Sequence, residues 1–293
     1  MKPRRYGPFP YSPVIDRPKS RWPNGARIAV WIIPNIEFFA LDEQVPAAAG
    51  GGGKTPDIMV WSTRDYGNRV GVFRLMKVMA RHGARGTVAL NSELCAEHPR
   101  IIEECLKLDW ELMGHNESNT RRLNSVSDEE AAGIVRRTVE TISKASGKKV
   151  RGWLGSGLAE TWNTLDHLVD NGIEYVADWV NDDQPYQMTL DDGRTIMSIP
   201  YSVELNDKPA FENRNLTAEQ FDVMVRRQFD TLWRESEERA MAMGIALHPY
   251  IIGVPHRIGA LDSALEYISR HEGVWLATGA EIATAGRTDW MNR

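Results

Sequence analysis

One histidine, His248, closes a short apolar run and stands directly before a proline. The run covers residues 245–247, and Pro249 can continue neither a helix nor the interior of a strand, so the pattern predicts a strand that ends at His248. A side chain at the carboxyl end of a strand lies at the rim of a sheet, where α/β proteins generally keep their chemistry. His248 is therefore a candidate catalytic residue, although a half-buried loop histidine would show the same local pattern.

Three further polar residues stand at or near the ends of short apolar runs: Glu37, His115 and Arg151. In a parallel sheet or barrel the carboxyl ends of the strands open on one face, so these residues could converge with His248. A carboxylate and a histidine are the minimum for hydrolysing an amide, since one activates water and the other protonates the leaving nitrogen. Arg151 could hold a carboxylate by a bidentate contact and keep it ionised.

Each of these residues also has an ordinary structural interpretation. Glu37 could be a surface carboxylate and Arg151 the partner in a structural salt bridge. Trp153 could form a pocket wall or simply pack in the core. The neighbouring acids Asp182 and Asp183 could be a solvated surface, or they could bind a divalent cation or orient a polar substrate.

The elements that position these residues alternate between short strands and helices of about ten to fifteen residues, which is typical of βα units and a parallel sheet or barrel. A capping box at residues 127–130 begins one of the helices. The predicted strands are at residues 26–33, 87–90, 111–113, 150–153 and 175–178, and the predicted helices at residues 70–81, 98–108, 128–145, 161–171 and 219–243, followed by a final strand and helix. A hairpin is predicted at residues 184–200, and a glycine-rich flexible loop at residues 47–53.

Composition narrows the class of protein. Of 293 residues, 42% are hydrophobic and 26% charged, and the net charge of -5 gives no reason to expect a nucleic-acid partner. No segment has the length and apolarity of a membrane span, and the N-terminus lacks the apolar core of a signal peptide. The two cysteines, ten residues apart, indicate free thiols. We therefore expect a cytoplasmic protein. The sequence of residues 1–25 predicts an irregular arm. Because no linker divides the chain, we expect residues 1–293 to form a single domain.

Taken in order, these features resemble the polysaccharide deacetylase (NodB homology) superfamily. Residues 35–38 fall where that family has paired aspartates, and His115 falls at the first histidine of its H-x-x-x-H pattern. Residues 151–155 keep the spacing of its R-x-x-x-G, residues 177–179 are similar to its fourth motif, and residues 245–248 are similar to its L-x-x-H. The resemblance implies an α/β fold, a distorted (β/α) barrel of the NodB deacetylase type.

Departures from the family pattern bear on the metal. Zinc-dependent members bind the ion through the second aspartate and both histidines, positions that here read Phe38, His115 and Asn119. Phenylalanine cannot ligate, and asparagine is a poor zinc ligand beside imidazole. We therefore expect no metal cofactor. A zinc site, if there is one, would have to be rebuilt from His115, Glu37 and Glu117.

Within the superfamily the chain is similar to the metal-independent, allantoinase-like branch, at residues 66–71, 201–207, 248–260 and 273–281. That branch is associated with hydrolysis of cyclic amides such as allantoin and, in related enzymes, cyclic imides. Residues 115–119 are not the aromatic-rich segment expected of an allantoinase, which favours a cyclic imide. The resemblance also implies a homotetramer.

The hypothesis is thus a hydrolase that opens a C–N bond of a small cyclic amide or imide substrate. Glu37 would be the base or the water-orienting group, and His248 the general acid. His115 would be an electrophile or a metal ligand, and Arg151 the residue that orients the carboxylate. The expected substrate-binding residues are Asn35, Tyr66, Arg69, Trp153, Asp182 and Asp183. The alternatives are a metal-dependent N-deacetylase of amino sugars or polysaccharide, and a non-catalytic metabolite-binding module.

Overall fold

The computed structural model describes residues 1–44 and 53–289, with side chains described to residue 287. The predicted glycine-rich loop at residues 47–53 lies almost wholly outside the described residues. The strands are β1 (Ile28–Ile36), β2 (Thr87–Leu90), β3 (Glu111–Gly114), β4 (Gly152–Trp153), β5 (Tyr175–Val176), β6 (Tyr186–Thr189), β7 (Thr195–Ser198), β8 (Met241–Leu247) and β9 (Val274–Leu276). The helices are α1 (Ile58–Tyr66), α2 (Val72–Arg81), α3 (Leu94–Glu97), α4 (Pro99–Lys107), α5 (Asp128–Ser146), α6 (Thr164–Asp170), α7 (Ala218–Glu235), α8 (Ile258–Ser269) and α9 (Gly279–Asp289).

The strands form one curled sheet that makes an incomplete barrel. This confirms the expected distorted (β/α) barrel of the NodB deacetylase type. Their order is β6-β7-β5-β4-β3-β2-β1-β8, with β9 also paired to β1. Every pair is parallel except the β6–β7 hairpin. Because the strands are parallel, the residues that follow β1, β2, β3, β4, β5 and β8 meet at one edge of the sheet, which we call the carboxyl edge.

Strand β1 is buried on both faces, as its unbroken apolar sequence predicts. Ile28, Val30 and Ile32 belong to the core between the sheet and the outer helices. Trp31 and Ile33 alternate with them and point into the barrel interior, which is a separate hydrophobic cluster. The strand therefore holds both layers together and fixes the position of the residues at its carboxyl end.

Local sequence explains where the longest helices begin. The side chain of Ser127 accepts a hydrogen bond from the backbone N–H of Glu130 and caps α5. Thr217 and Gln220 form a reciprocal capping box at the start of α7. The expected strand at residues 87–90 and hairpin at residues 184–200 are confirmed.

The predicted helix at residues 219–243 is wrong over its last eight residues, 236–243. Helix α7 ends at Glu235, and the Ala- and Met-rich residues that follow enter strand β8. Alanine and methionine favour helices locally, but seven residues of β8 pair with β1, and that tertiary pairing outweighs propensity.

The first 25 residues contain no α-helix or strand, only two short 3-10 turns. Phe9 of this arm packs edge-on against Trp179 and Tyr186, so the arm lies against the β6–β7 side of the sheet. Within the described residues, no helix has the length and apolarity needed to cross a membrane. Cys95 and Cys105 are free thiols, as their spacing predicts.

Gly71 lets the helical turn between α1 and α2 approach the loop that follows β8. A Cβ at this position would lie 2.1 Å from the carbonyl oxygen of Pro249. Replacing Gly71 with alanine must push back the backbone next to His248, so we expect Gly71→Ala to lower the free energy of unfolding by about 1–3 kcal/mol.

The measurement is urea-induced unfolding followed by circular dichroism. Gly259→Ala is the matched control, because a Cβ at residue 259 meets no atom within 4 Å and lies inside α8. That variant should be unchanged or stabilised by up to about 1 kcal/mol. Equal stability of the two variants would contradict the close approach at Gly71.

Candidate active site

Three residues at the carboxyl edge bring their polar atoms together inside the barrel mouth. Glu37 follows β1, His115 follows β3, and His248 follows β8. Glu37 Oε1 lies 3.6 Å from His248 Nε2 and 3.8 Å from His115 Nε2. All three side chains are buried. Two buried imidazoles therefore face one buried carboxylate at the mouth of the barrel.

A second carboxylate, Asp207, lies behind His248. Asp207 Oδ1 is 2.7 Å from His248 Nδ1, and Oδ2 accepts the backbone N–H of His248 at 2.7 Å and that of Ile252 at 3.2 Å. Burial would lower the pKa of His248, but Asp207 and Glu37 outweigh it and raise that pKa to about 9. Burial raises the pKa of Asp207, although its contacts with His248 oppose the shift. His248 is thus an imidazolium at neutral pH, with Nε2 facing Glu37.

Glu37 is held as a carboxylate. Burial opposes ionisation, but the nearby charge of His248 and the polar contact with His115 carry the pKa of Glu37 well below its usual range. Asn119 donates a further hydrogen bond from its amide nitrogen to Glu37 Oε1. The group is therefore better suited to holding and orienting a water than to removing a proton unaided.

Asn119 is itself fixed in one orientation. Its side-chain oxygen accepts hydrogen bonds from the Ser156 hydroxyl and from the amide of Asn91, 3.2 Å away. With the oxygen occupied, the amide nitrogen is left to face Glu37. Asn119, which stands at the second histidine of the family pattern, serves here as a hydrogen-bond donor to the carboxylate.

His115 is oriented by a backbone carbonyl. Its Nδ1 lies 2.6 Å from the carbonyl oxygen of Leu154, which can only accept, so Nδ1 carries a proton and Nε2 faces Glu37. The ring can therefore donate from Nε2 only in its doubly protonated form. In that form it can polarise a carbonyl oxygen.

These groups line a cavity of about 280 Å³, which we call the site cavity. Asn35 also lines it and is held by the backbone carbonyl of Leu247, 3.4 Å from its amide nitrogen. Tyr201 and Arg64 contribute further polar groups to the wall. Small-molecule pockets begin at about 300 Å³, so this volume is of the size that holds a small ring.

Behind the wall formed by Gly155 lies a pair of carboxyl groups, Asp178 and Glu160. Asp178 accepts the backbone N–H of Gly155 at 2.7 Å. Burial raises the pKa of Asp178 to about 6, and burial together with the neighbouring Asp178 raises the pKa of Glu160 well above its usual range. Glu160 therefore keeps its proton at neutral pH and also accepts a hydrogen bond from the indole of Trp179.

Of the residues expected at the site, the structure brings together Asn35, Glu37, His115 and His248. The assignment of Arg151 is corrected. It precedes β4, at the amino edge, where its guanidinium forms an ion pair with Glu174 at 2.7 Å and contacts Thr284. It does not orient Glu37.

Trp153 is also corrected from pocket wall to core. Its side chain is fully buried in the outer hydrophobic cluster and packs on Gly114, where a Cβ would lie 2.6 Å from the indole. The large ring faces the helices, because β4 directs its alternate residues to opposite sides of the sheet. Leu154, the next residue, is the one that lines the site cavity.

Tyr66 and Arg69, which were expected to bind the substrate, also lie outside the site cavity. Tyr66 accepts a hydrogen bond from Arg74, and the Arg69 side chain is 74% exposed beside Asp65, so neither lines the site cavity.

The acids after β5 are bound to the rest of the protein at the amino edge. Asp182 forms a bidentate ion pair with Arg17 of the N-terminal arm. The backbone carbonyl of Asp183 accepts from Ala242 at the beginning of β8, the end of the strand opposite His248. Asp182 therefore ties the arm to the sheet, and neither acid reaches the site cavity.

The residues present do not fit a family-type metal site. Phe38 has no ligating atom, and the Asn119 amide is committed to Glu37. Glu117, the other carboxylate considered from the sequence, forms an ion pair with Arg137 at 2.6 Å. Among the described residues, no cluster of three His, Cys, Asp or Glu side chains has the geometry to hold a metal ion.

Asp207 is the residue that sequence reasoning missed. It lies in the segment quoted for its likeness to the allantoinase-like branch, but no local periodicity connects it with a histidine 41 residues later. An Asn-Asp pair before a proline-containing turn is usually read as turn chemistry alone. Pairing it with His248 needs the three-dimensional contact.

We expect Asp207→Asn to lower the pKa of His248 from about 9 by about one unit or more, since it removes the charge that stabilises the imidazolium. In the native protein the folded pKa lies above the ordinary value. The stabilisation from this pair is therefore complete below about pH 6.5 and lost as pH rises through about 9. Titration of the His248 ring by NMR measures the shift.

Asp262→Asn is the matched control, because Asp262 pairs with His82 at 2.7 Å on the protein surface. It should leave the titration of His248 unchanged. An unchanged His248 pKa in folded Asp207→Asn protein would show that Asp207 does not stabilise the His248 imidazolium.

Comparison with known proteins agrees with this architecture. The family model described as "Polysaccharide deacetylase" matches residues 52–176. A curated Schizosaccharomyces pombe protein assigned by name to the polysaccharide deacetylases is 27% identical over 295 residues, covering 90% of this chain and 91% of that protein.

Two solved structures share the fold. A probable polysaccharide deacetylase from Pseudomonas aeruginosa PAO1 superposes with a TM-score of 0.85 at 24% identity, covering 92% of this chain and 94% of that one. PuuE allantoinase superposes with a TM-score of 0.84 at 23% identity, covering 92% and 93%. The family match includes His115 and Asn119 but stops before Asp207 and His248 and begins after Glu37.

Proposed function

Because this chain carries a polysaccharide deacetylase (NodB-like) domain, we propose that it is a hydrolase that opens a C–N bond of a small cyclic amide or imide. The observation that carries the proposal is the acid–base set in a small cavity: Asp207 charges His248, and Glu37 lies 3.6 Å from the same imidazole. One structural neighbour is named an allantoinase, which is consistent with a ring substrate.

Water is activated between Glu37 and the substrate carbonyl. Glu37 Oε1 accepts a hydrogen bond from the water and takes its proton as the oxygen attacks the carbonyl carbon. In its protonated form His115 donates from Nε2 to the carbonyl oxygen and stabilises the negative charge that develops there. The amide of Asn119 keeps Glu37 in the orientation that this step requires.

Collapse of the tetrahedral intermediate breaks the C–N bond. His248, an imidazolium at neutral pH, gives its Nε2 proton to the departing nitrogen. The proton that Glu37 took from water then returns His248 to its charged form across the 3.6 Å between them. The sum is one water added across one C–N bond, with the enzyme restored.

An imide suits this site because its nitrogen bears two carbonyls. The second carbonyl stabilises the departing nitrogen as an amide anion, so that the carbonyl under attack needs less polarisation than a simple amide would. A carboxylate with a strongly lowered pKa is a weak base. With an activated leaving group, a weaker base is sufficient to activate the water. We therefore favour imides and hydantoin-like rings over acetylated amino sugars, and no metal step is needed.

The test is hydrolysis of succinimide, maleimide, hydantoin and allantoin before and after exhaustive chelation, with metal quantified in the same sample. We expect ring opening that survives chelation. Activity lost on chelation and restored by zinc would contradict the metal-free mechanism. Acetate release from N-acetylated sugars without any ring opening would favour a deacetylase, and ligand binding without turnover a binding module.

Replacing Glu37 with its isosteric amide should lower kcat by about 10²–10⁴-fold, because Glu37→Gln removes the group that accepts the water proton. Steady-state kinetics on the best ring substrate measures this, and circular dichroism checks the fold. Glu103→Gln, on an exposed turn of α4, is the control and should keep full activity. Wild-type turnover in folded Glu37→Gln protein would remove Glu37 from the mechanism.

A further inference from the structure

Tyr201 brings to the site cavity a hydroxyl that the reaction described above does not use. It follows β7, and because β7 is parallel to β5 it lies at the carboxyl edge of the sheet. Its side chain lines the site cavity and is 7% exposed. A buried tyrosine hydroxyl generally has partners for both its oxygen and its proton, so each of them must be accounted for.

The oxygen of the Tyr201 hydroxyl is accounted for by Asn206. Asn206 Nδ2 lies 3.1 Å from Tyr201 Oη, and Asn206 Oδ1 accepts the backbone N–H of Lys208 at 3.0 Å. Because the oxygen of that amide is occupied, its nitrogen is the donor and the phenol oxygen is the acceptor. The hydroxyl proton is therefore not donated to Asn206.

The proton of the same hydroxyl is left over. Within the described part of the chain, the structure shows no acceptor for it. Burial raises the pKa of Tyr201 well above its usual range, and the charges of Asp207 and Glu37 add to the shift while a contact with Asn35 opposes it. Tyr201 is thus a neutral hydrogen-bond donor in the wall of the site cavity, with its oxygen held by Asn206.

The closure of the barrel determines which groups Tyr201 lies beside. The β6–β7 hairpin and β8 are at opposite ends of the sheet, and the chain after β7 crosses between them. Asn206 of this crossing segment pairs with β8 along the edge that β1 leaves free. The polar groups at the carboxyl edge therefore come in a fixed order: His115, Glu37, His248 and then the segment that carries Tyr201.

A cyclic imide presents its reacting groups in the same order. In the proposed reaction the carbonyl under attack meets His115 and the water held by Glu37, and the ring nitrogen meets His248. The second carbonyl is bonded to that nitrogen on the side away from the carbon under attack. It therefore faces the segment beyond His248, where the hydroxyl of Tyr201 is a donor without an acceptor.

We propose that Tyr201 is a further catalytic residue, whose hydroxyl donates a hydrogen bond to the second carbonyl of a cyclic imide. This rests on the proposed ring-opening function and specifies which group of the substrate the enzyme recognises. When the C–N bond breaks, its electron pair goes to the nitrogen and is shared with the second carbonyl oxygen, while His248 delivers its Nε2 proton to the nitrogen. Tyr201 stabilises the charge on that oxygen and keeps its own proton, so the balance of the reaction is unchanged.

Two other roles for Tyr201 give different results. A hydroxyl that donated to the carbonyl under attack would assist that carbonyl whatever atom the second one carried. A hydroxyl that only packed in the wall would contribute to stability and leave kcat unchanged. A contact with the second carbonyl depends on the atom at that position, and replacing its oxygen with sulfur, a weak hydrogen-bond acceptor, removes most of the contact.

The experiment compares succinimide with monothiosuccinimide on the full chain, with and without the Tyr201→Phe substitution. For the thio ring we count only the product that keeps sulfur in its amide, because that product reports attack at the oxygen carbonyl. With succinimide, Tyr201→Phe should lower kcat by about 10–100-fold and change KM by less than about threefold, since the contact strengthens as charge develops. With the thio ring the loss in kcat should be less than about threefold.

Tyr267→Phe is the matched control, because the Tyr267 hydroxyl donates to Asp230 at 2.8 Å and does not line the site cavity. It should leave kcat for both rings unchanged. Asn206→Asp covers the case in which Tyr201→Phe does not fold, since it keeps the phenol and offers its proton a carboxylate. It should lower kcat for succinimide more than for the thio ring. Wild-type kcat in folded Tyr201→Phe protein, or an equal loss on the two rings, would overturn the proposal.

Binding measured by calorimetry separates this inference from the function beneath it. If neither ring is opened, the proposed function fails, but succinimide binding that weakens by about twofold or more in Tyr201→Phe and not in Tyr267→Phe would still support the contact. Equal binding by the two variants, or no binding, would reject the contact as well. Ring opening of succinimide with the same kcat in Tyr201→Phe would reject the role of Tyr201 alone.

Discussion

The hydrogen bond between Asp207 and His248 determines the charge of the groups around it. A buried carboxylate is costly unless something compensates it, and Asp207 is compensated by the imidazolium it stabilises and by two backbone N–H groups. That imidazolium in turn holds Glu37 ionised, and Asn119 orients Glu37. Removing Asp207 would lower the pKa of His248, and loss of the His248 charge would raise the pKa of Glu37. The three groups therefore behave as one electrostatic unit.

The fold around this unit explains why it is rigid. Strand β1 pairs with three neighbours and is buried on both faces, so the carboxyl edge has little freedom where Glu37 leaves the sheet. The Pro249 carbonyl, in the loop after β8, is approached closely by Gly71 and by Gly253 of the same loop, where added Cβ atoms would lie 2.1 and 2.2 Å from its oxygen. His248 is thus held in place because the adjacent Pro249 cannot shift without disturbing the helical turn that contains Gly71.

Sequence patterns predict the parts of this protein that depend on local or periodic signals. Short apolar runs locate the strands, and the polar residues after them include Glu37, His115 and His248. Arg151 and Trp153 are misassigned, because a two-residue strand offers no reliable sense of which residues reach its carboxyl end. The pairing of Asp207 with His248 depends on a contact between distant segments, for which one sequence carries no signal.

The pairing of β1 with β8 has a consequence for how activity arises during folding. The amide of Asn35 reaches the carbonyl of Leu247, 212 residues later, and Glu37 and His248 meet just beyond that contact. Closing so long a loop costs entropy before it gains any contact, and such non-local strand pairing is intrinsically slow. A nascent or partly refolded chain can therefore contain most of the sheet and still be inert. Glu37 and His248 come together only when β8 is paired with β1, so partial unfolding that releases β8 alone would separate them while leaving most helices in place.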